Sequence, residues 1–189
     1  MVSYRITKFN PTKRNEEGHY LDDSEWTAIS DIGKAQYNNV TYQEYETIET
    51  AYVKSIQLIL REKNRKSLRI DSLELYDTKE DFDRYKKDGR LRNLTVDFEN
   101  EISILKNKDE LSLSQIEKFT RLMLRETIWM LLVDRDIEVR FGYDYYMYVK
   151  CEELASETMD AIHNLGLFVE PNVGQIDYKI IDEDGNEIK

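Results

Sequence analysis

Apolar and polar residues alternate strictly between Ile137 and Cys151. Every odd position is Ile, Val, Phe, Tyr, Met or Cys, and the even positions read Glu, Arg, Gly, Asp, Tyr, Tyr and Lys. A period of two is typical of a sheet with one buried and one exposed face. The stretch predicts either one long strand or a hairpin with Gly142-Tyr143-Asp144 as its loop. Odd residues share a face in both cases.

The same periodicity predicts other strands. They cover residues 3–9, 68–75 with a bulge at 71–72, 94–104 as one strand or two, 167–170 and 175–182. Asp184-Gly185 is a hairpin turn signal, so the end of the chain, at about 175–189, is expected to fold as a hairpin.

Apolar residues spaced three and four apart predict helices. The clearest follows Thr41, which forms a capping box with Glu44, and runs to about Asn64. A short charged helix is expected over 78–88. A last one, over 152–165, should end before Gly166.

A further helix is predicted to begin at a capping box on Ser114 and to continue to about Asp134. Its second half, residues 127–133, is apolar on every side, which indicates burial on several sides. We therefore expect this to be the central helix of the core, with Trp129 and Leu132 buried in it.

These elements predict a single domain over residues 1–189 with an α+β fold. The sheet should be largely antiparallel, with some parallel pairing left open, and three main helices should pack on its apolar face. Residues 10–39 show no regular pattern. A loop of this length is either functional or a lid, which we expect to be pinned by Trp26, Ile29 and Ile32.

The charge of the chain narrows the possible partners. Its formal net charge of −11 argues against direct binding to nucleic acid, which depends on clustered Lys and Arg. An acidic surface suits solubility or a basic partner.

No apolar stretch is long enough to predict a membrane span. The single cysteine, Cys151, favours a reducing compartment, so we expect a cytoplasmic protein.

The sequence holds few candidates for catalysis. Cys151 falls on the inward face of a strand, where a buried thiol is expected rather than a nucleophile. His19 and His163 lack metal-ligand spacing, and Asp22 and Asp23 near His19 are the closest approach to a metal site. We therefore predict no catalytic residues, no metal and no cofactor.

The tyrosines of the 137–151 stretch suggest a partner surface. Those at even positions should lie on the polar sheet face, and tyrosine is common at interfaces. Glu99 and Glu101 would add an acidic margin if their predicted strand joined the same sheet. The predicted partner-binding residues are Tyr146, Tyr148, Arg140, Asp144, Glu99 and Glu101. The alternative is that the tyrosines only prop an exposed sheet or are covered by the 10–39 loop.

The expected function is non-enzymatic binding of another protein with a basic surface. A small, acidic, bacterial-looking chain with one cysteine has a profile shared by many immunity and inhibitor proteins, which neutralise their partners. One alternative is a small-ligand-binding protein or an enzyme with its site under the 10–39 loop. A second is an acidic nucleic-acid mimic, although basic residues interrupt the acidic runs.

Overall fold

The computed structural model describes residues 1–17, 19–75, 78–93, 98–142 and 145–173. Within them lie seven strands and five α-helices. The strands are β1 (Val2–Thr7), β2 (Ser67–Leu75), β3 (Glu110–Ser112), β4 (Ile128–Asp134), β5 (Ile137–Phe141), β6 (Tyr146–Cys151) and β7 (Phe168–Pro171). The helices are α1 (Tyr42–Glu62), α2 (Lys79–Lys87), α3 (Phe98–Ser103), α4 (Leu113–Leu124) and α5 (Ser156–Asn164).

All seven described strands form one sheet in the order β3-β2-β4-β5-β6-β1-β7, and every described pair is antiparallel. The predicted α+β fold with an antiparallel sheet is therefore confirmed. The C-terminal hairpin predicted at about 175–189 lies outside the described residues.

One face of the sheet is the core. Ile70, Leu132, Val139, Val149 and Tyr4 oppose one another across five strands, and all are buried. The helix α1 contacts both α4 and α5, and buried side chains from these three helices join the same apolar cluster as this sheet face. Burial of this alternating face is the main stabilising term for a sheet covered on one side.

Several local predictions hold in detail. The Thr41 N–H donates to Glu44 at 2.7 Å, and the Glu44 N–H donates to the Thr41 hydroxyl at 3.2 Å, so the first capping box is confirmed. The register of β2 shifts between Ile70 and Ser72, where the bulge was predicted. Gly166 has a φ of +89°, the left-handed conformation expected just after a helix.

The long helix predicted from Ser114 to Asp134 is wrong in its second half. The helix α4 ends at Leu124, and the apolar run that follows is β4. Glu126 adopts a φ of +55°, its N–H donates to the Met123 carbonyl, and the Thr127 N–H donates to the Leu122 carbonyl. This is a Schellman end with Glu at the position that glycine usually takes. The chain reverses there without a glycine or proline signal.

The corrected element changes the environment of two core candidates. Leu132 is fully buried, as predicted, but it lies on the inner face of a strand. Trp129 lies on the opposite face and is only half-buried. The capping box also moves: the Ser112 N–H donates to the Gln115 side chain at 2.9 Å, two residues before the predicted cap.

The strand predicted over 94–104 is wrong where the structure describes it, because Phe98–Ser103 is the helix α3. Residues 94–97 lie outside the described chain. Strand periodicity puts Ile102 and Ile104 on the same side, whereas in the structure Ile102 is buried and Ile104 is 70% exposed. Phe98 and Ile102 are four residues apart, which fits helical as well as strand periodicity.

The stretch from Ile137 to Cys151 is a hairpin, not one strand. Phe141 opposes Met147, and the Gly142 N–H donates to the Tyr146 carbonyl at 2.7 Å. The loop therefore lies one residue later than predicted. Phe141 pairs with Met147 instead of Tyr145, a change of two residues, so the odd positions stay on the buried face.

A buried ion pair joins α1 to the end of α4. The guanidinium of Arg125 donates to the carboxylate of Glu49 at 2.6 and 2.8 Å, and both side chains are almost wholly buried. Arg125 also donates to the carbonyls of Arg90 and Arg92. Arg121, at the margin, gives Glu49 a further bond of 2.8 Å. Every charge in the cluster therefore has a partner, as burial requires.

Replacing Arg125 by methionine should cost about 3–5 kcal/mol of unfolding free energy, because the Glu49 carboxylate would stay buried without its main partner. Chemical denaturation measures the loss. Arg121→Met is the matched control: this arginine is 20% exposed and leaves Arg125 in place, so about 1 kcal/mol is expected. Equal costs for the two variants would show that the pair is not the anchor.

Candidate functional site

The structure places three of the predicted partner-binding residues on the face of the sheet opposite the core, called here the open face. Arg140 opposes Tyr148, Tyr148 opposes Arg5, and Arg5 opposes Glu170 across β5, β6, β1 and β7. Tyr146 lies two residues from Tyr148 on the same strand. The expectation that the even positions share a face is therefore confirmed for this row.

The predicted acidic margin is not part of this face. Glu99 and Glu101 belong to α3 instead of a strand, and Glu101 pairs with Lys118 on α4. The prediction required Glu99 and Glu101 to lie on a strand of the same sheet as the tyrosines. Because these residues are helical, they do not line the open face. Asp144 lies outside the described residues.

Tyr146 is covered by the N-terminal loop. Its ring centre lies 5.6 Å from that of Phe9, and the guanidinium carbons of Arg5 and Arg14 lie 5.3 and 5.8 Å from it. Of these groups Arg14 belongs to the 10–39 loop, so the alternative in which that loop covers the tyrosines holds in part, for Tyr146. Tyr148 instead lies beside Gly142, where an added Cβ would come within 3.0 Å of the Tyr148 ring.

Glu170 joins the loop to the sheet. Its carboxylate accepts two hydrogen bonds from Arg5 of β1, at 2.9 and 2.8 Å, and two from Arg14 of the loop, at 2.5 and 3.1 Å. Burial alone would raise the pKa of Glu170, but the hydrogen bonds from both arginines outweigh it and lower the pKa below its ordinary value. The carboxylate is therefore charged wherever the protein is near neutral pH.

The loop is irregular but ordered by its own side chains. Asn10 accepts from the Thr12 N–H, Asn15 from the Glu17 N–H and Asp22 from the Ser24 N–H and hydroxyl. Such Asx turns replace the hydrogen bonds of regular structure. Buried Asp31 accepts from two further N–H groups, at residues 27 and 28.

Trp26 and Ile29 are buried and Ile32 packs against the core, so the predicted pinning of the loop is confirmed. The Trp26 ring lies 5.0 Å from Tyr145 and 5.3 Å from Tyr45. These three rings attach the loop to α1 and to the residue that precedes β6.

A cavity of about 380 Å³ opens where the loop meets the sheet. We call it the loop pocket. Its walls are formed by four aromatic residues, of which three are tyrosines, by three carboxylates and by one threonine. The residues are Phe9, Tyr20, Tyr37, Tyr146, Asp22, Asp23, Glu25 and Thr27.

Two lysines already bind carboxylates of the loop pocket. The Lys8 ammonium lies 2.8 Å from Glu25, and it is 4.4 Å from the Phe9 ring centre and 4.0 Å from that of Trp26. Burial lowers the pKa of Lys8, against the opposing effect of Glu25. At the exposed rim, Lys13 lies 3.3 Å from Asp22. Rings combined with carboxylates thus hold positive charge in this part of the molecule.

Most of the loop pocket was not predicted from the sequence. Tyr146, Asp22 and Asp23 are candidates from the sequence, whereas no motif in the sequence singles out Phe9, Tyr20, Tyr37 and Glu25. The available signal was the spacing of aromatic residues through an otherwise polar loop. Without the fold, nothing in that spacing indicated that the rings meet Tyr146.

The other candidate groups have ordinary structural roles. His19 is exposed beside Glu17, and the Nε2 of His163 accepts a hydrogen bond of 3.3 Å from the Val169 N–H, which joins α5 to β7. Cys151 is fully buried, and burial raises the pKa of its thiol to about 11. Its prediction as a buried apolar thiol is confirmed.

Within the described residues, no group of three or more His, Cys, Asp or Glu side chains is arranged to hold a metal ion. No helix in the same part of the chain has the length and apolar character needed to cross a membrane. No protein-family model, curated protein or solved structure matches the chain.

Glu170→Gln should destabilise the protein by about 1–3 kcal/mol at pH 7, because two partly buried arginines lose a charged acceptor. A carboxylate with a lowered pKa stabilises the fold above the unfolded pKa, near 4.5, and loses that effect as pH falls through the folded pKa. Denaturation curves should therefore show the difference between the two proteins shrinking below about pH 4.5. A difference that is the same at pH 7 and pH 3 would contradict the role of this carboxylate.

The Cys151 thiol should react slowly with a small alkylating reagent at pH 7.5 in the native protein, since it is buried and its pKa is about 11. Labelling followed by mass spectrometry measures the rate, and unfolded protein in urea is the control. Equal rates in the two states would overturn the assignment of Cys151 to the core.

Proposed function

We propose that this protein is a non-enzymatic module that binds the basic surface of another protein, in the manner of immunity and inhibitor proteins. The loop pocket would be the centre of the interface. Tyr148 and Arg140, further along the open face, would extend it. We also propose that the protein acts in the cytoplasm, which its single, buried cysteine supports.

The observation that carries this proposal is the combination of rings and carboxylates in one open cavity. Aromatic side chains supply large contact area with few rotatable bonds, which is why they act as anchors at interfaces. Asp22, Asp23 and Glu25 at the same place favour a cationic occupant. The net charge of −11 would speed the approach of a basic partner at low salt.

A second candidate is binding of a small cationic molecule in the loop pocket. A volume of about 380 Å³ falls within the range of small-molecule sites. The walls are open and polar at the rim, which suits the exposed side chain of a protein better than a molecule that must be buried on most sides. We therefore favour the protein partner.

The proposal can be tested by capturing partners from a lysate of the native host with tagged protein. Asp22→Asn with Asp23→Asn should reduce the recovery of a specific, basic partner. Glu152→Gln with Asp160→Asn is the matched control: it removes the same charge at exposed positions beyond the end of β6, and recovery should be unchanged.

With the purified partner, the aspartate variant should chiefly slow association, and the difference from wild type should shrink as salt rises. Two results would contradict the proposal. One is a partner bound equally by wild type and both variants, and the other is a partner with an acidic contact surface.

A further inference from the structure

The loop pocket has room for one more positive charge. Its three carboxylates are Asp22, Asp23 and Glu25, and two ammonium groups already contact them, Lys13 at Asp22 and Lys8 at Glu25. One negative charge is left within the lining. No ion pair of Asp23, which is exposed, occurs among the described residues.

The Tyr146 ring in the wall of the loop pocket already contacts two guanidinium groups of its own chain. Arg5 lies 5.3 Å from the Tyr146 centre while it donates two hydrogen bonds to Glu170, and Arg14 repeats the arrangement at 5.8 Å. Neither arginine lines the cavity. The Tyr146 ring, with the Glu170 carboxylate bound to the same two arginines, is thus already an arginine site on the chain's own side of the pocket wall.

An arginine suits the cavity better than a lysine for a physical reason. Guanidinium is planar and weakly hydrated, so it can lie against a ring and still donate in its own plane to carboxylates at the rim. An ammonium group is strongly hydrated and loses more on entering a cleft walled by rings. Three tilted rings provide such walls: the centre of Phe9 lies 4.9 Å from that of Tyr20 and 5.6 Å from that of Tyr146.

We propose that the loop pocket receives a single arginine side chain of the partner protein, with Asp22 and Asp23 as its acceptors. This rests on the proposed function, since the arginine belongs to the basic surface described above. In the free protein Lys13 binds Asp22 at the exposed rim, so it competes with the incoming arginine. Lys13 therefore weakens binding and does not assist it.

The test uses the full chain and three small probes: the N-acetyl amides of arginine, lysine and citrulline. Citrulline has nearly the shape of arginine without its charge. Backbone amide shifts of Tyr20 and Thr27, followed by NMR during titration, report on the loop pocket. Arginine should bind at least about tenfold more tightly than citrulline and measurably more tightly than lysine, as a charged contact with rings predicts.

Two substitutions at exposed positions test the competition without threatening the fold. Lys13→Gln should tighten binding of the arginine probe by about two- to threefold, the size of an exposed ion pair. Lys54→Gln, the matched control on α1, makes the same charge change at an exposed position and should have no effect. Asp23→Asn should weaken binding.

The outcomes separate this inference from the proposed function. Equal binding of citrulline, or binding of lysine as tight as arginine, overturns the arginine site, even if partner capture depends on the loop pocket. Arginine binding without any captured partner instead supports the site and removes the proposed function. Weaker binding in Lys13→Gln overturns the competition.

Discussion

The buried ion pair between Glu49 and Arg125 is the interaction on which the rest of the structure depends. It fixes α1 against the end of α4, at the point where the chain turns into β4. Arg125 also donates hydrogen bonds to the carbonyls of residues 90 and 92. Tyr45, one turn before Glu49 on α1, accepts a hydrogen bond of 2.6 Å from the hydroxyl of Tyr145. Separating the two groups would leave a buried charge without its partner, which is strongly destabilising.

From that pair a continuous series of contacts leads to the candidate site. Trp26 packs on Tyr45 and Tyr145, and the Lys8 ammonium lies over Trp26 and binds Glu25 in the wall of the loop pocket. Tyr145 itself has a φ of +62°, an uncommon conformation for a bulky residue. The hydroxyl of Tyr52 donates to its carbonyl and holds it there. The position of the loop thus follows from the helix layer beneath it.

The periodicity of the sequence predicted the α+β class, four of the helix positions and the two faces of the β5–β6 hairpin, because those depend on local alternation. It failed where one pattern fits two structures. Residues 128–133 are apolar throughout; the glycine-free turn at Glu126 ends the helix before them, and they pair with β2 and β5 as a strand. The site itself depends on pairs far apart in the chain, such as Arg5 with Glu170, separated by 165 residues. No spacing rule could bring them together.

The way the loop is held also explains why a binding site can exist there. The described residues of the 10–39 loop add no strand to the sheet, so the position of the loop is set by side chains: Trp26 on the core side and the Arg14–Glu170 pair on the open face. Side-chain attachment leaves the ring of Tyr20 partly accessible beside the buried ring of Phe9, which pairing into the sheet would not. A loop fixed by buried anchors loses little further entropy on binding. Its acidic rim can then add attraction to a surface that is already ordered.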